Sequence, residues 1–216
     1  MAFDFDAYVV SALFDRSGRA FFALGDGTVR LEDGRAIEAH PGSAILCAAV
    51  HPSGDGVVTG GDDGRLVWTR PGGAQDLAEV RGKWIDAVAA SPASNLIAFA
   101  AAREVRLISA ADAQFQRLFT HEKSVTDLSF EAKGLRLAAS TYGGAVLWYA
   151  RIAEQKPVVL KYAGSHTSIL WSPTASSWSR PCRTPSCTAG ACPTARTCAW
   201  AAIRPRPSPW PSSPAA

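Results

Sequence analysis

Cysteine is nearly absent from the first 173 residues, where only Cys47 occurs. A single thiol cannot form a disulfide framework, so this region reads as reduced and cytoplasmic. No stretch approaches the roughly 20 uncharged apolar residues of a membrane span. The opening Met1-Ala2-Phe3-Asp4-Phe5-Asp6 has acids where an export signal needs Lys or Arg, and no long apolar run follows it. Net charge is also scarce. Residues 1–173 carry 17 Lys and Arg against 19 Asp and Glu, a balance of −2 that offers no basic face to nucleic acid. Catalytic spacings are missing too. The four histidines, His40, His51, His121 and His166, form no H-x₃-H or H-E-x-x-H pair, and no G-x-S-x-G nucleophile motif occurs. Gly60-Gly61-Asp62-Asp63-Gly64 lacks the Lys-Ser/Thr end of a phosphate loop. Its acids, like Asp26 and Asp33, have the ordinary task of satisfying turn backbone. These gaps predict no enzyme, no metal, no cofactor, no nucleic acid and no membrane.

What the chain does have is a repeat. Short apolar strands end at Phe14, Val50, Ala90, Phe130 and Trp171, spaced 36, 40, 40 and 41 residues apart. Each is followed by a polar turn, such as Asp15-Arg16-Ser17-Gly18, His51-Pro52-Ser53-Gly54 or Glu131-Ala132-Lys133-Gly134. A second apolar strand comes next, then in most units a glycine turn and a third strand. A period near forty with several strands per unit predicts radially stacked sheets, the plan of a β-propeller. The clearest unit starts at His121. Val125-Thr126-Asp127-Leu128-Ser129-Phe130 alternates as a half-buried strand does. Leu135 to Ser140 is the second strand, Gly143-Gly144 supplies a tight hairpin, and Ala145-Val146-Leu147-Trp148-Tyr149 is the third.

This pattern resembles the WD-repeat family, whose units run from a His through V-x-x-V-x-F-S-P-D-G and L-A-S-G-S-x-D-G to T-V-R-L-W-D. Gly25-Asp26-Gly27-Thr28-Val29-Arg30-Leu31-Glu32-Asp33 is similar to the last stretch, with Glu32 in place of Trp. Val57-Val58-Thr59-Gly60-Gly61-Asp62-Asp63-Gly64 is similar to the middle stretch, and Ser172-Pro173 to the start of S-P-D-G. The resemblance covers about residues 7–173. It implies an all-β, WD-repeat-like propeller, incomplete at about four blades. Units are expected at 7–34, 40–70, 84–109 and 121–150, with a fifth starting at 162. It also implies a structural role for His40, Thr59, Asp63, His121 and Trp148, because blades of this family are often pinned by a buried His, Ser/Thr, Asp and Trp network. The departures matter. Trp68 falls four residues after Gly64 instead of five, which predicts that it points to the other face. Trp148 has that same offset from Gly144, and Gly143 replaces the Asp. The unit at 84–109 has no glycine turn and no third-strand Trp. Packing of Val, Leu, Ile and Phe between sheets is therefore expected to do most of the stabilising.

The last 43 residues, 174–216, differ in kind. They hold five Arg, no acid, eight Pro, seven Ser and four Cys, but only Ile203 from the set Val, Ile, Leu, Phe and Tyr. Written back into GC-rich codons with one G restored before Thr174, this segment reads in the shifted frame as D-G, a strand, a turn, and a third strand containing Trp. It therefore reads as a non-native, disordered tail created by a one-base deletion. Cys182, Cys187, Cys192 and Cys198 lack the paired spacing of a zinc site. The five arginines are too dispersed for a nucleic-acid arm. A partial ring leaves two sheet faces without neighbours, which predicts marginal stability.

Two features remain as candidate partner contacts. Arg81-Gly82-Lys83-Trp84-Ile85-Asp86 opens a unit in a segment that crosses a propeller rim, and an aromatic flanked by Arg81 and Lys83 suits an interface hot spot. Packing of Trp84 between adjacent blades is the competing and favoured reading. Tyr142 occupies a turn beside Gly143-Gly144. The function expected is a cytoplasmic, non-enzymatic protein–protein interaction platform, with another protein as partner. The alternatives are a propeller hydrolase or lyase whose site lies outside this chain, and a frameshifted remnant.

Overall fold

The computed structural model describes residues 4–171 and the backbone of residues 178–179. Every regular element among them is a β-strand. Four antiparallel sheets of four strands follow one another along the chain. The first comprises β1 (Val9–Phe14), β2 (Ala20–Leu24), β3 (Thr28–Leu31) and β4 (Ala36–Glu38). The second comprises β5 (Ile45–Val50), β6 (Val57–Gly61), β7 (Arg65–Arg70) and β8 (Gly73–Glu79). The third comprises β9 (Ala87–Ser91), β10 (Leu96–Ala101), β11 (Glu104–Ser109) and β12 (Gln116–Thr120). The fourth comprises β13 (Val125–Phe130), β14 (Arg136–Thr141), β15 (Gly144–Tyr149) and β16 (Val158–Lys161). A two-stranded piece, β17 (Leu170–Trp171) with β18 (Trp178–Ser179), begins a fifth.

The first strand of each sheet neighbours the first strand of the next, from β1 through β5, β9 and β13 to β17. The sheets are thus blades around a common axis, and the described residues form an incomplete WD-repeat-like propeller. Three strands per unit are legible in the sequence; a fourth, outer strand completes each blade. Β4, β8, β12 and β16 are largely exposed edge strands with mixed polarity, so they lack the apolar signature of the inner three. The reading of residues 174–216 as a disordered tail lies outside the described residues, apart from the backbone pairing of β18.

The blades are held by the layers between them, as the pattern of the strands requires. Phe21, Val29 and Leu31 of the first blade meet Ile45, Val57 and Val67 of the second. Val58 and Leu66 face Ile97 and Phe99 of the third. Leu107 and Phe119 face Leu128, Leu137 and Trp148 of the fourth. Alanines fill much of this last layer, with Ala87, Ala89, Ala98, Ala100, Ala139 and Ala150 all buried. Each fully buried large side chain contributes about 1.5–3 kcal/mol. Phe21, Phe99 and Ile85 are among the largest of these.

Cys47 lies within the second layer, its thiol 3.3 Å from the Ile85 carbonyl oxygen. Burial pushes its pKa up to about 12, so the thiol stays protonated and unreactive at neutral pH.

Candidate interaction surface

One rim of the propeller is built by two kinds of segment, the second hairpin turn of each blade and the crossing into the next blade. Backbone bonds lace them together. The His40 N–H donates to the Gly27 carbonyl (2.9 Å) and the Val80 N–H to that of Gly64 (2.8 Å). The His121 N–H donates to the Arg103 carbonyl (2.9 Å) and the Tyr162 N–H to that of Gly143 (2.7 Å). Gly64 shows why the turn must be tight. It has φ +77°, and a Cβ there would lie 2.3 Å from the Val80 carbonyl oxygen and 2.6 Å from that of Lys83.

Beneath this rim the second blade carries a closed polar network. The buried ring of His40 places Nδ1 3.0 Å from both carboxylate oxygens of Asp63, and Nε2 3.0 Å from the Thr59 hydroxyl. Asp63 also accepts the Arg65 N–H at 2.9 Å. Gly61 makes the approach possible, since a Cβ there would sit 2.5 Å from His40 Nδ1 and 2.7 Å from Asp63 Oδ1. Trp68 takes no part. It pairs with Val58 on the opposite face from Thr59 and Val67. It stacks on His51 at 3.9 Å and donates its indole N–H to the Asp55 carbonyl (2.8 Å), with the Arg70 guanidinium 4.1 Å from its ring centre. Burial lowers the pKa of His51 to about 4.

The fourth blade completes the same place differently. Trp148 donates its indole N–H to Nε2 of His121 at 3.0 Å, and its ring stacks on Phe119 at 4.4 Å. The count from Gly144 implies the other face, and pairing explains the difference. Thr141 pairs with Gly144, which makes Gly144 the first residue of β15 and leaves Gly143 as the turn glycine. Trp148 is then five residues beyond the turn glycine. In the second blade Thr69 holds the equivalent position, buried, with its hydroxyl unpartnered. The third blade turns without glycine at Ala102-Arg103, with Ala102 forced to φ +55°.

On the outside of the rim, Trp84 is 63% exposed. This corrects the expectation that it packs between blades. Its neighbour Ile85 is fully buried against Gly60 and fills that position, so alternation turns Trp84 outward. The loop beneath it is fixed by the Ile85 N–H on the Gly61 carbonyl (3.0 Å) and the Lys83 N–H on that of Val80 (3.2 Å). The Lys83 ammonium binds Glu104 at 2.6 Å, and the exposed Arg81 pairs with Glu79 at 3.2 Å. Tyr142 is 59% exposed on the fourth blade's turn, with the Lys123 ammonium 4.6 Å from its ring centre. The structure therefore groups Arg81, Lys83 and Trp84 on one crossing and places Tyr142 on the same rim two turns away. Among the described residues, no group of His, Cys, Asp and Glu could hold a metal ion, and no helix is long and apolar enough to cross a membrane.

Residues 33–68 match the family model described as WD domain, G-beta repeat. That span covers His40, Thr59 and Asp63, so the best-preserved repeat is the one with the closed network. No curated protein matches the chain. WD repeats in general build protein-interaction modules rather than catalytic centres.

Proposed function

We propose that this chain, WD-repeat-like in all four blades, is a non-enzymatic platform in the cytoplasm that binds another protein through the rim around Trp84. The observation that carries the reading is a large, solvent-facing indole on a loop whose backbone is tied down on both sides. Rigid loops on a packed scaffold lose little entropy on binding, and Trp and Arg are among the residues enriched at interface hot spots. Arg81 and Lys83 contribute charge and aliphatic stem. Tyr142 extends the surface along the rim.

A photo-cross-linking amino acid at position 84, compared with one at the exposed Leu118 on β12, tests this in cells. The expected result is one stoichiometric partner captured at 84 and not at 118. Trp84→Ala should abolish its co-purification while shifting stability by less than about 0.5 kcal/mol. Equal capture at both positions, or an undiminished complex with Trp84→Ala, would contradict the proposal. The frame change at codon 174 belongs to the same reading. Resequencing codons 170–180 from source DNA decides where the base was lost: recovery of the G places the deletion in the sequencing, and an unchanged sequence places it in the gene.

A further inference from the structure

Three of the crossings between blades are tied in two directions. Toward the blade behind, the tie is a backbone bond to the second hairpin turn, from His40 to Gly27, from Val80 to Gly64 and from His121 to Arg103. Toward the blade ahead, a side chain makes the tie, and its chemistry changes from one crossing to the next. Asp62, in the second turn of the second blade, accepts the Ala44 N–H at 2.9 Å. Glu104, which follows the second turn of the third blade, accepts the Lys83 ammonium at 2.6 Å. Tyr142, in that turn of the fourth blade, has the Lys123 ammonium 4.6 Å from its ring centre. Lys83 and Lys123 stand 40 residues apart, one repeat, so the two cations hold equivalent places.

The crossing that presents Trp84 is the one of these three whose forward tie is an ion pair. Glu104 is held from a second side as well, because the Arg106 guanidinium donates to its other oxygen at 3.0 Å. The hydrogen bonds from Lys83 and Arg106 keep the Glu104 carboxyl below its ordinary value, so it is ionised at neutral pH. An ion pair between two long, exposed side chains is worth little, since both must give up their freedom. Here Lys83 and Glu104 are partly shielded, and Arg106 on the same strand, β11, already fixes the carboxylate. The other pair on this crossing, Arg81 with Glu79, joins residues two apart in the chain and ties nothing to the blade ahead. Trp84 is thus gripped from both sides along the chain, by Lys83 on Glu104 before it and by the buried Ile85 after it.

We propose that Glu104 is the positioning residue of the rim contact. It holds Lys83, and through Lys83 the direction in which Trp84 points, so partner affinity depends on a carboxylate that belongs to the next blade. This rests on the reading of the Trp84 rim as the partner surface, and it adds the residue that sets the geometry of that surface.

The test uses the full ¹⁵N-labelled chain and two readouts, the backbone order parameters of Lys83 and Trp84 and the affinity of the partner that co-purifies from cells. In the unsubstituted chain both order parameters should sit near the rigid value of about 0.85, and Glu104→Gln should lower them toward the roughly 0.6 of flexible backbone while leaving those of Tyr142 and Gly143 unchanged. Partner affinity should fall about two- to fivefold, the worth of one partly exposed pair. Lys83→Arg, which keeps the charge, should preserve both readouts, and Glu79→Gln should change neither. Unchanged order parameters in Glu104→Gln, an equal loss in Glu79→Gln, or full partner affinity alongside a loosened loop would overturn the proposal. The order parameters need no partner. A chain that recovers none refutes the rim contact, while the order parameters still decide for or against the Glu104 tie.

Discussion

The second and fourth blades share a register and a histidine, yet finish the histidine differently. His40 is bonded on both ring nitrogens, by Asp63 and Thr59, while the indole of its blade, Trp68, faces away. His121 is bonded on one nitrogen only, by Trp148, and has neither acid nor hydroxyl. Each blade thus keeps part of one network. The lesson is that a degenerate repeat can hold its geometry through apolar layers and backbone lacing while its polar pins are traded off one at a time. A buried network is worth most when every member is satisfied, so the two blades should respond unequally to similar changes.

The largest expected effect is in the closed network. Asp63→Ala removes the carboxylate from a buried ring and from the Arg65 N–H, making the second blade resemble the fourth. A loss of about 2–4 kcal/mol is expected from chemical denaturation, against under about 1 kcal/mol for the same change at the exposed turn acid Asp55. Gly61→Ala attacks the same network sterically and should cost about 1–3 kcal/mol, because the added methyl must displace the His40 ring. In the fourth blade, Trp148→Phe keeps an aromatic ring beside Phe119 but removes the indole N–H and part of the buried ring volume. A smaller loss of about 1–2 kcal/mol is expected in the same assay.

Acid should separate the two blades further. Burial holds the pKa of His121 below its ordinary value, and that of His51 falls to about 4. Both rings are neutral when folded but bind protons when unfolded. The stability they lend is fully present above about pH 6.5 and is lost as pH falls through the folded-state values, for His51 toward pH 4. Melting temperature should therefore drop between pH 6.5 and 4, and His51→Gln should flatten part of that drop.

The smallest effect concerns the third blade, which has neither pin. Ala102 holds φ +55° in a turn that the other blades give to glycine. Ala102→Gly should stabilise the chain by about 0.5–1 kcal/mol, measured by denaturant midpoint.

Much of this was readable in the sequence, for physical reasons that also mark where reading stopped. The second strand of a blade announces itself because both faces are buried, as in Val57-Val58-Thr59 and Leu96-Ile97-Ala98, and the first and third follow from their apolar residues and the turns between them. The outer strands do not, since Gly73–Glu79 is largely solvated and mixes Gln75, Asp76 and Glu79 with its apolar residues, while the apolar run of Val158–Lys161 is only three residues long and mostly exposed. His40, Thr59 and Asp63 were found through motif spacing, because the hairpin between them has the length the motif assumes. Trp148 was named with them, but the face it takes was not legible, because either glycine of Gly143-Gly144 could serve as the turn residue, and only strand pairing decides which. Trp84 was ambiguous because the sequence does not show which of Trp84 and Ile85 takes the inward position. Gly60, which leaves room for one Ile85 methyl against it, is the structural reason that Ile85 does.

The contrast between the two histidines can be read directly from a long-range ¹H–¹⁵N correlation spectrum of the imidazole rings at neutral pH. The account predicts His121 as the neutral Nδ1–H tautomer, with an unprotonated Nε2 coupled to a downfield Trp148 indole proton and an Nδ1–H free of any carboxylate. It predicts His40 with its Nδ1 proton in a strong bond to Asp63. A proton on Nε2 of His121, or a Trp148 indole resonance at its free position, would contradict the pairing on which the comparison rests.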